Sequence, residues 1–331
     1  MISELQLDYL PGKSTFVKGI AGISKAIAIT GVIRFESSKL ESKLMSVSIS
    51  FRASLKTHLS VSGCNYSQNE NLFFDQTMLL GDNIKPVKTE KGAHALPFEL
   101  IIHEPWLIPN YESPKIGKSS DGAVIEHLLQ VDLTTLHGFF GNKRKTSSVT
   151  AIVDIPCIPL THALSALNPQ SLFNDGVVDD IQVHVETDTH VVYLGSILNV
   201  TVDTSGSHVF EMTAELVQSE IIHAQGQVRE FDYILATGTH PSLYKVQDGR
   251  WRSQIKLTDA HIKAPQKLPY KSLNVVSPIN HSNLMISHKL KITIGYKIGK
   301  EKRFGFIDVP ITVLNLDQET LEWVGKNTME N

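Results

Sequence analysis

Two consecutive stretches between residues 27 and 51 alternate apolar and polar side chains, and this period constrains the fold most strongly. The apolar positions are Ile27, Ile29, Ile33 and Phe35 in the first stretch, and Met45, Val47, Ile49 and Phe51 in the second. A period of two predicts half-buried strands, because successive side chains of a strand point to opposite faces. The polar connector over residues 36–43 predicts that the two strands pair as a hairpin. The rest of the chain must then supply a second sheet to cover their apolar face.

The same alternation returns throughout the chain, and no sustained helical period interrupts it. Clear later examples lie at residues 181–185, 198–202, 212–216, 290–296 and 309–313. Many short strands with frequent turns predict an all-β sandwich. Because 331 residues suffice for two domains of ordinary size, we predict two tandem immunoglobulin-like β-sandwich domains.

A proline-containing stretch in the middle of the chain marks the predicted boundary between these domains. It contains Pro156, Pro159 and Pro169, with a short helix predicted at residues 161–167. We predict an amino-terminal sandwich over residues 1–156 and an interdomain connection over residues 157–180. A carboxy-terminal sandwich then spans residues 181–315, and residues 316–331 form a short polar tail.

The composition predicts a soluble cytosolic protein that does not bind nucleic acid as its main task. The formal net charge is -3, which disfavours a nucleic-acid-binding surface over the whole protein. No apolar run of about 18 residues is present, so no transmembrane helix is expected. The first residues lack the pattern of a secretory signal. With only two cysteines, Cys64 and Cys157, no disulfide framework is expected.

No motif in the sequence predicts catalysis, a metal site or a cofactor. There is no Gly-x-Ser-x-Gly elbow, no Walker A loop and no Gly-x-Gly-x-x-Gly pattern. The 14 histidines include no His-x-x-x-His pair, and the two cysteines lie far apart. We therefore predict that the protein is not an enzyme and that it needs no cofactor.

Four sets of segments, in this order along most of the chain, together carry a resemblance to a known family. They are Tyr9-Leu10-Pro11-Gly12 with Val17-Lys18-Gly19; Ile49-Ser50-Phe51-Arg52; residues 92–98 with 105–112; and His240-Pro241-Ser242 with residues 287–292 and 309–313. The sequence resembles the arrestin-like proteins, and most closely the α-arrestins (arrestin-domain-containing adaptors) of fungi and animals. This resemblance implies two packed β-sandwiches without an active site.

The resemblance also implies a function in the transport of membrane proteins. Its implied partners are cytosolic tails of plasma-membrane transporters or receptors, together with a WW-domain ubiquitin ligase that binds directly or through another protein. The protein would be cytoplasmic, with peripheral recruitment to the plasma membrane or endosomes. The alternative is a non-catalytic subunit of a fixed endosomal sorting complex of the retromer-subunit kind, which shares the two-sandwich architecture.

One motif that α-arrestins usually carry is absent from this sequence. They recruit the ligase through Pro-Pro-x-Tyr, which docks on WW domains as an extended segment, but this sequence contains no Pro-Pro pair. The nearest match is Ile108-Pro109-Asn110-Tyr111. Pro109 and Tyr111 are thus either a variant ligase motif or a structural part of the fold.

Two groups of cations are candidate surfaces for an acidic partner. Lys143, Arg144 and Lys145 follow Gly141 in a predicted basic turn and could hold phosphates on a cargo tail or on anionic lipid. The alternative is a solvated charged turn. Arg144-Lys145-Thr146-Ser147 also resembles a site for a basophilic kinase. Lysines 289, 291 and 297 alternate on a later strand, either as a second basic surface or as protection against edge pairing.

Overall fold

A computed structural model describes most of the chain. The described residues are 2–8, 17–37, 42–80, 87–103, 108–114, 121–137, 143–155, 157–205, 208–238, 244–247, 249–257 and 275–328. Some segments named above lie outside them: residues 9–12, 105–107 and 240–242 of the resemblance, residues 141–142 of the basic turn, and Pro156.

Strands dominate the described residues. The amino-terminal half contains β1 (Ile2–Asp8), β2 (Val17–Lys18), β3 (Ala26–Ser37), β4 (Ser42–Val61), β5 (Cys64–Leu80), β6 (Val87–Thr89), β7 (Gly92–His103), β8 (Tyr111–Glu112), β9 (Gly122–His137) and β10 (Lys143–Ile152). The other half contains α1 (Leu160–Leu167), β11 (Leu172–Val178), β12 (Ile181–Thr187), β13 (Val191–Tyr193), β14 (Ile197–Thr204), β15 (Val209–Ala224), β16 (Gln227–Thr237), β17 (Tyr244–Gln247), β18 (Arg250–Lys256), β19 (Ile279–His281), β20 (Leu284–Ile298), β21 (Glu301–Leu314) and α2 (Gln318–Thr328). The predictions of an all-β sandwich fold and of the short helix at 161–167 are confirmed.

The chain divides into two compact units that are not consecutive in sequence. Unit 1 consists of Met1–Lys56, Asn69–Glu112 and Val124–Cys157; unit 2 consists of Thr57–Gln68, Ser113–Ala123 and Ile158–Asn331. Two short stretches of the amino-terminal half, 57–68 and 113–123, therefore pack as part of unit 2. The number of tandem domains and their sequence boundaries stay predictions.

Unit 1 is built from two sheets that share one apolar core. The first sheet has the order β1-β3-β2, and β7 also pairs with β3. The second has the order β10-β9-β4-β5, with β6 on β4 and β8 on β9. The core contains the predicted alternating residues of β3 and, except for Met45, those of β4, together with apolar residues of β7 and β9.

The predicted hairpin between the two opening strands is wrong. β3 pairs antiparallel with β7, from Ala26 opposite His103 to Ser37 opposite Gly92, whereas β4 lies in the other sheet. Alternation identifies the buried face of a strand but does not identify the neighbouring strand. Both strands bury the predicted faces, and they do so from different sheets around the same core.

Unit 2 is also a two-sheet sandwich. One sheet has the order β11-β12-β14-β18-β17, and the other has the order β13-β21-β20-β15-β16 with β19 on β20. Aliphatic side chains from both sheets form its core. Two glycines allow the sheets to approach closely, since a Cβ on Gly176 would lie 2.6 Å from Ile307 Cδ1, and one on Gly305 would overlap Val178.

The predicted connection and tail contain more regular structure than expected. β11 lies within the predicted connection and pairs with β12 along its length, from Leu172 opposite Thr187 to Val178 opposite Ile181. Its apolar alternation is weak because Gly176 occupies an inward position, which Ile307 of the facing sheet fills.

Helix α2 lies within the predicted polar tail. Asp317 caps its amino terminus, since the Thr320 amide donates a 2.8 Å hydrogen bond to Asp317 Oδ1. Leu321 and Val324 are buried on one side. Two apolar positions three residues apart are too few to reveal a helical period in the sequence.

Candidate functional site

The predicted basic turn is instead the beginning of an edge strand. Lys143, Arg144 and Lys145 are the first three residues of β10. This strand pairs with β9 at every position, from Lys143 opposite His137 to Ile152 opposite Leu128. No other described strand pairs with β10. The cations belong to a strand because they precede a run of hydroxyl and β-branched residues that favours strand.

The two faces of β10 have different surroundings. Val149 packs against the core of unit 1, which fixes the register of the strand. On the opposite face, Thr146 Oγ1 lies 3.1 Å from Thr134 Oγ1 of β9. Ser148 Oγ donates a 2.6 Å hydrogen bond to Asp132 Oδ1. Packing on one face and cross-strand hydroxyl contacts on the other hold β10 in an extended conformation.

The cations at the start of β10 are accessible. All three side chains are exposed, and none forms an ion pair within the described part of the chain. An edge strand presents unpaired backbone groups to a partner strand, and clustered cations attract carboxylates or phosphates. This combination suits an extended anionic peptide, which could add to the sheet and place its charges near Lys143, Arg144 and Lys145.

The second predicted site, at Pro109 and Tyr111, is part of the folded sandwich. Tyr111 begins β8, lies opposite Ile125 of β9 and is only 5% exposed. Asn110 Nδ2 donates a 3.0 Å hydrogen bond to the carbonyl oxygen of Val153. A WW domain needs the proline and tyrosine of its ligand on an accessible extended segment. These contacts therefore favour the structural alternative for this segment.

The three lysines of β20 do not form a continuous basic surface. Lys289 Nζ lies 3.0 Å from Asp232 and 3.2 Å from Asp308. Burial alone would lower the pKa of Lys289, but the hydrogen bonds and charges of these two aspartates outweigh it and raise that pKa. Lys291 Nζ lies 4.9 Å from the ring centroid of Phe306, and Lys297 is exposed. Neighbouring groups thus engage two of the three lysines.

Unit 2 contains a buried polar network that the sequence analysis did not identify. Glu220 is fully buried in β15, and its carboxylate accepts hydrogen bonds from Ser113 Oγ and from Tyr233 Oη. A second group surrounds Asp121, which accepts a 2.6 Å hydrogen bond from the Ser60 amide and pairs with Arg229. The network ties stretches 57–68 and 113–123 to β15 and β16.

One feature of the sequence does signal this network. Gln218-Ser219-Glu220 is an uninterrupted polar run inside the apolar strand β15, and all three residues are buried. A buried carboxylate requires hydrogen-bond donors. One of these donors, Ser113, lies 107 positions away from Glu220 in the sequence, so local patterns cannot identify it.

Two further observations concern metal ligands and helix length in the described residues. No group of three or more His, Cys, Asp or Glu side chains in them has an arrangement that could hold a metal ion. Neither of their helices is long and apolar enough to cross a membrane.

Comparison with known proteins gives no assignment. No family model matches this sequence, and no curated protein matches it.

Proposed function

We propose that this chain is a non-catalytic, arrestin-like adaptor. It binds acidic or phosphorylated cytosolic segments of membrane proteins and links them to ubiquitin-dependent endocytosis or trafficking. The observation that carries this proposal is β10, an edge strand whose exposed cationic end begins at Lys143. The resemblance to α-arrestins, which rests on ordered segments along the sequence, supplies the link to trafficking.

The proposed binding mode combines backbone pairing with charge. An extended cargo segment adds to β10, and its backbone hydrogen bonds supply affinity with little dependence on sequence. Phosphates or carboxylates of the cargo then lie near Lys143, Arg144 and Lys145. Because the cations are exposed, salt should weaken this binding strongly.

Ligase recruitment in this proposal proceeds through a partner protein. Tyr111 is buried in β8, so direct docking of a WW domain on Pro109 and Tyr111 would require this part of unit 1 to open. A partner that carries Pro-Pro-x-Tyr would bring the ligase without such a change.

A binding measurement with the full chain tests the cargo site. The probe is a fluorescent peptide of ten residues with three phosphoserines, and its unphosphorylated form is the reference. The test variant carries Lys143→Glu, Arg144→Glu and Lys145→Glu. The matched control carries Lys300→Glu, Lys302→Glu and Arg303→Glu, which makes the same charge change at exposed cations of the β20–β21 hairpin.

We expect the unchanged protein to bind the phosphopeptide more tightly than the unphosphorylated peptide. We expect the affinity for the phosphopeptide to fall by roughly tenfold or more in the test variant only. Equal losses in both variants would show that net charge alone drives the binding. No binding by the unchanged protein would overturn the proposed cargo site.

A proximity-labelling experiment in the native cell tests the trafficking role. Enrichment of plasma-membrane transporters together with a WW-domain ligase supports the adaptor. Enrichment of one fixed endosomal coat complex without a ligase would contradict the adaptor role and support the alternative, a retromer-like scaffold. In that case size-exclusion chromatography should show a stable stoichiometric complex.

A further inference from the structure

We propose that Thr146 on β10 is a phosphorylation site for a basophilic serine/threonine kinase, and that its phosphate switches off the cationic edge. The inference rests on the proposed function only for this regulatory effect. The modification itself rests on the sequence and geometry of β10. Three hydroxyl residues, Thr146, Ser147 and Ser148, directly follow Lys143, Arg144 and Lys145. Basophilic kinases select hydroxyl residues preceded by such cations.

The structure distinguishes the three hydroxyl groups from one another. Ser147 lies opposite Leu133, a buried core residue of β9, and is only half-exposed. Ser148 is exposed, but its Oγ already donates to Asp132 Oδ1 at 2.6 Å, so a phosphate there would lie beside a carboxylate and be repelled. Thr146 is exposed, and its Oγ1 lies 3.1 Å from the neutral hydroxyl of Thr134. Thr146 is therefore the acceptor.

The local conformation also suits a kinase. β10 is extended, and no described strand other than β9 pairs with it. Residues of β1, at the edge of the other sheet, lie within 8 Å of β10 between Cα atoms, but the side chains of Arg144 and Thr146 stay exposed. Arg144 is two residues before Thr146 and shares its face of the strand. Thr146 and Arg144, the cation that a basophilic kinase would recognise, are thus exposed on the same face of an extended segment.

The chemical step is a phosphoryl transfer from ATP. Thr146 Oγ1 attacks the γ-phosphorus, a new P–O bond forms, and the bond from that phosphorus to the β–γ bridging oxygen breaks. The hydroxyl proton passes to the catalytic base of the kinase, and ADP leaves.

Phosphorylation changes the charge of the edge. A phosphate adds about -1.5 to -2 charges at neutral pH, which offsets roughly half to two thirds of the positive charge of Lys143, Arg144 and Lys145. It can also pair directly with Arg144 and compete with an anionic ligand for it. The phosphorylated chain should then bind an acidic segment weakly.

Intact-mass and peptide-mapping measurements test the modification. The folded full chain is incubated with ATP and a basophilic kinase chosen because it phosphorylates a synthetic peptide of residues 141–150. We expect one phosphate in this segment, lost in Thr146→Ala and retained in Ser148→Ala and in Thr146→Ser. A phosphate on Ser147 or Ser148, or a phosphorylated peptide with an unmodified folded chain, would overturn the assignment. Thermal unfolding of Thr146→Ala checks that this variant is folded.

A second measurement tests the regulatory effect. The phosphoserine peptide used above should bind the phosphorylated chain roughly tenfold or more weakly than the unphosphorylated chain. Equal affinities for both forms would overturn the switch while leaving the modification intact. Failure of the unphosphorylated chain to bind would count against the proposed cargo site instead, so the two failures are distinguishable.

Discussion

Tyr233 Oη donates a 2.7 Å hydrogen bond to a carboxylate oxygen of Glu220, which is fully buried. Tyr233→Phe removes this donor and leaves a buried acceptor with one partner fewer. We expect the free energy of unfolding to fall by about 1–3 kcal/mol, measured by urea denaturation. The matched control is Tyr193→Phe on the half-exposed Tyr193, which should change stability by less than about 0.5 kcal/mol. Equal effects of the two variants would contradict a special contribution of the Glu220 contact.

Gly249 and Gly226 both have positive φ angles, +77° and +82°, but their surroundings differ. A Cβ on Gly249 would lie 2.6 Å from the Thr204 carbonyl oxygen, whereas one on Gly226 would meet nothing within 4 Å. Gly226→Ala should therefore cost only the backbone strain, roughly 1 kcal/mol. Gly249→Ala should cost clearly more, because backbone of β14 must move. Denaturation midpoints of the two variants check this order, and the reverse order would refute it.

Two buried histidines should make the free energy of unfolding decrease in mild acid. Burial, with the charge of His162 adding to it, lowers the pKa of His288 to about 3, and burial lowers that of His127 to about 4. The unfolded chain takes up these protons near its ordinary histidine pKa of about 6.5, while the folded imidazoles stay neutral. This contribution to stability is complete above that pH. It decreases as the pH falls from there toward about 4, by roughly 1.4 kcal/mol per pH unit for each histidine.

The pH dependence is tested by denaturation at several pH values between 7 and 5. In His288→Gln the decrease in unfolding free energy over this range should be smaller than in the unchanged protein by roughly 1–2 kcal/mol. The exposed His208 supplies the control, since His208→Gln should leave the decrease close to that of the unchanged protein. An unaltered pH dependence in His288→Gln would contradict the prediction.

The two cysteines should differ sharply in reactivity. Neither forms a disulfide, and Cys64 is exposed at the start of β5. Burial raises the pKa of the Cys157 thiol to about 12, so only about one thiol in ten thousand is ionised at pH 8, and the thiolate is the reactive form. Iodoacetamide should label native Cys157→Ser quickly and native Cys64→Ser at least roughly a hundredfold more slowly. Denaturant should remove this difference, and equal rates in the native proteins would contradict it.

The sequence predicts buried faces better than it predicts neighbours. Ile27, Ile29, Ile33 and Phe35 are buried as their alternation indicates, yet β3 pairs with β7 and not with β4. A period of two describes the two faces of one strand, whereas pairing depends on how distant segments pack. The position of the candidate cationic site follows from the sequence in the same way. The sequence does not predict that Lys143 begins an edge strand, because the position of a strand at an edge depends on the whole sheet.

The buried network of unit 2 also sets the order in which contacts become available during synthesis. Ser113 and Glu220 are 107 positions apart, and Asp121 and Arg229 are 108 positions apart. A ribosome that adds about 5–20 residues per second needs roughly 5–20 s to cover such a separation. Throughout that interval, Ser113 and Asp121 have been synthesised and Glu220 and Arg229 have not. In a nascent chain that stops before residue 220, stretches 57–68 and 113–123 therefore lack their partners in β15 and β16. We expect chaperones to bind these two stretches.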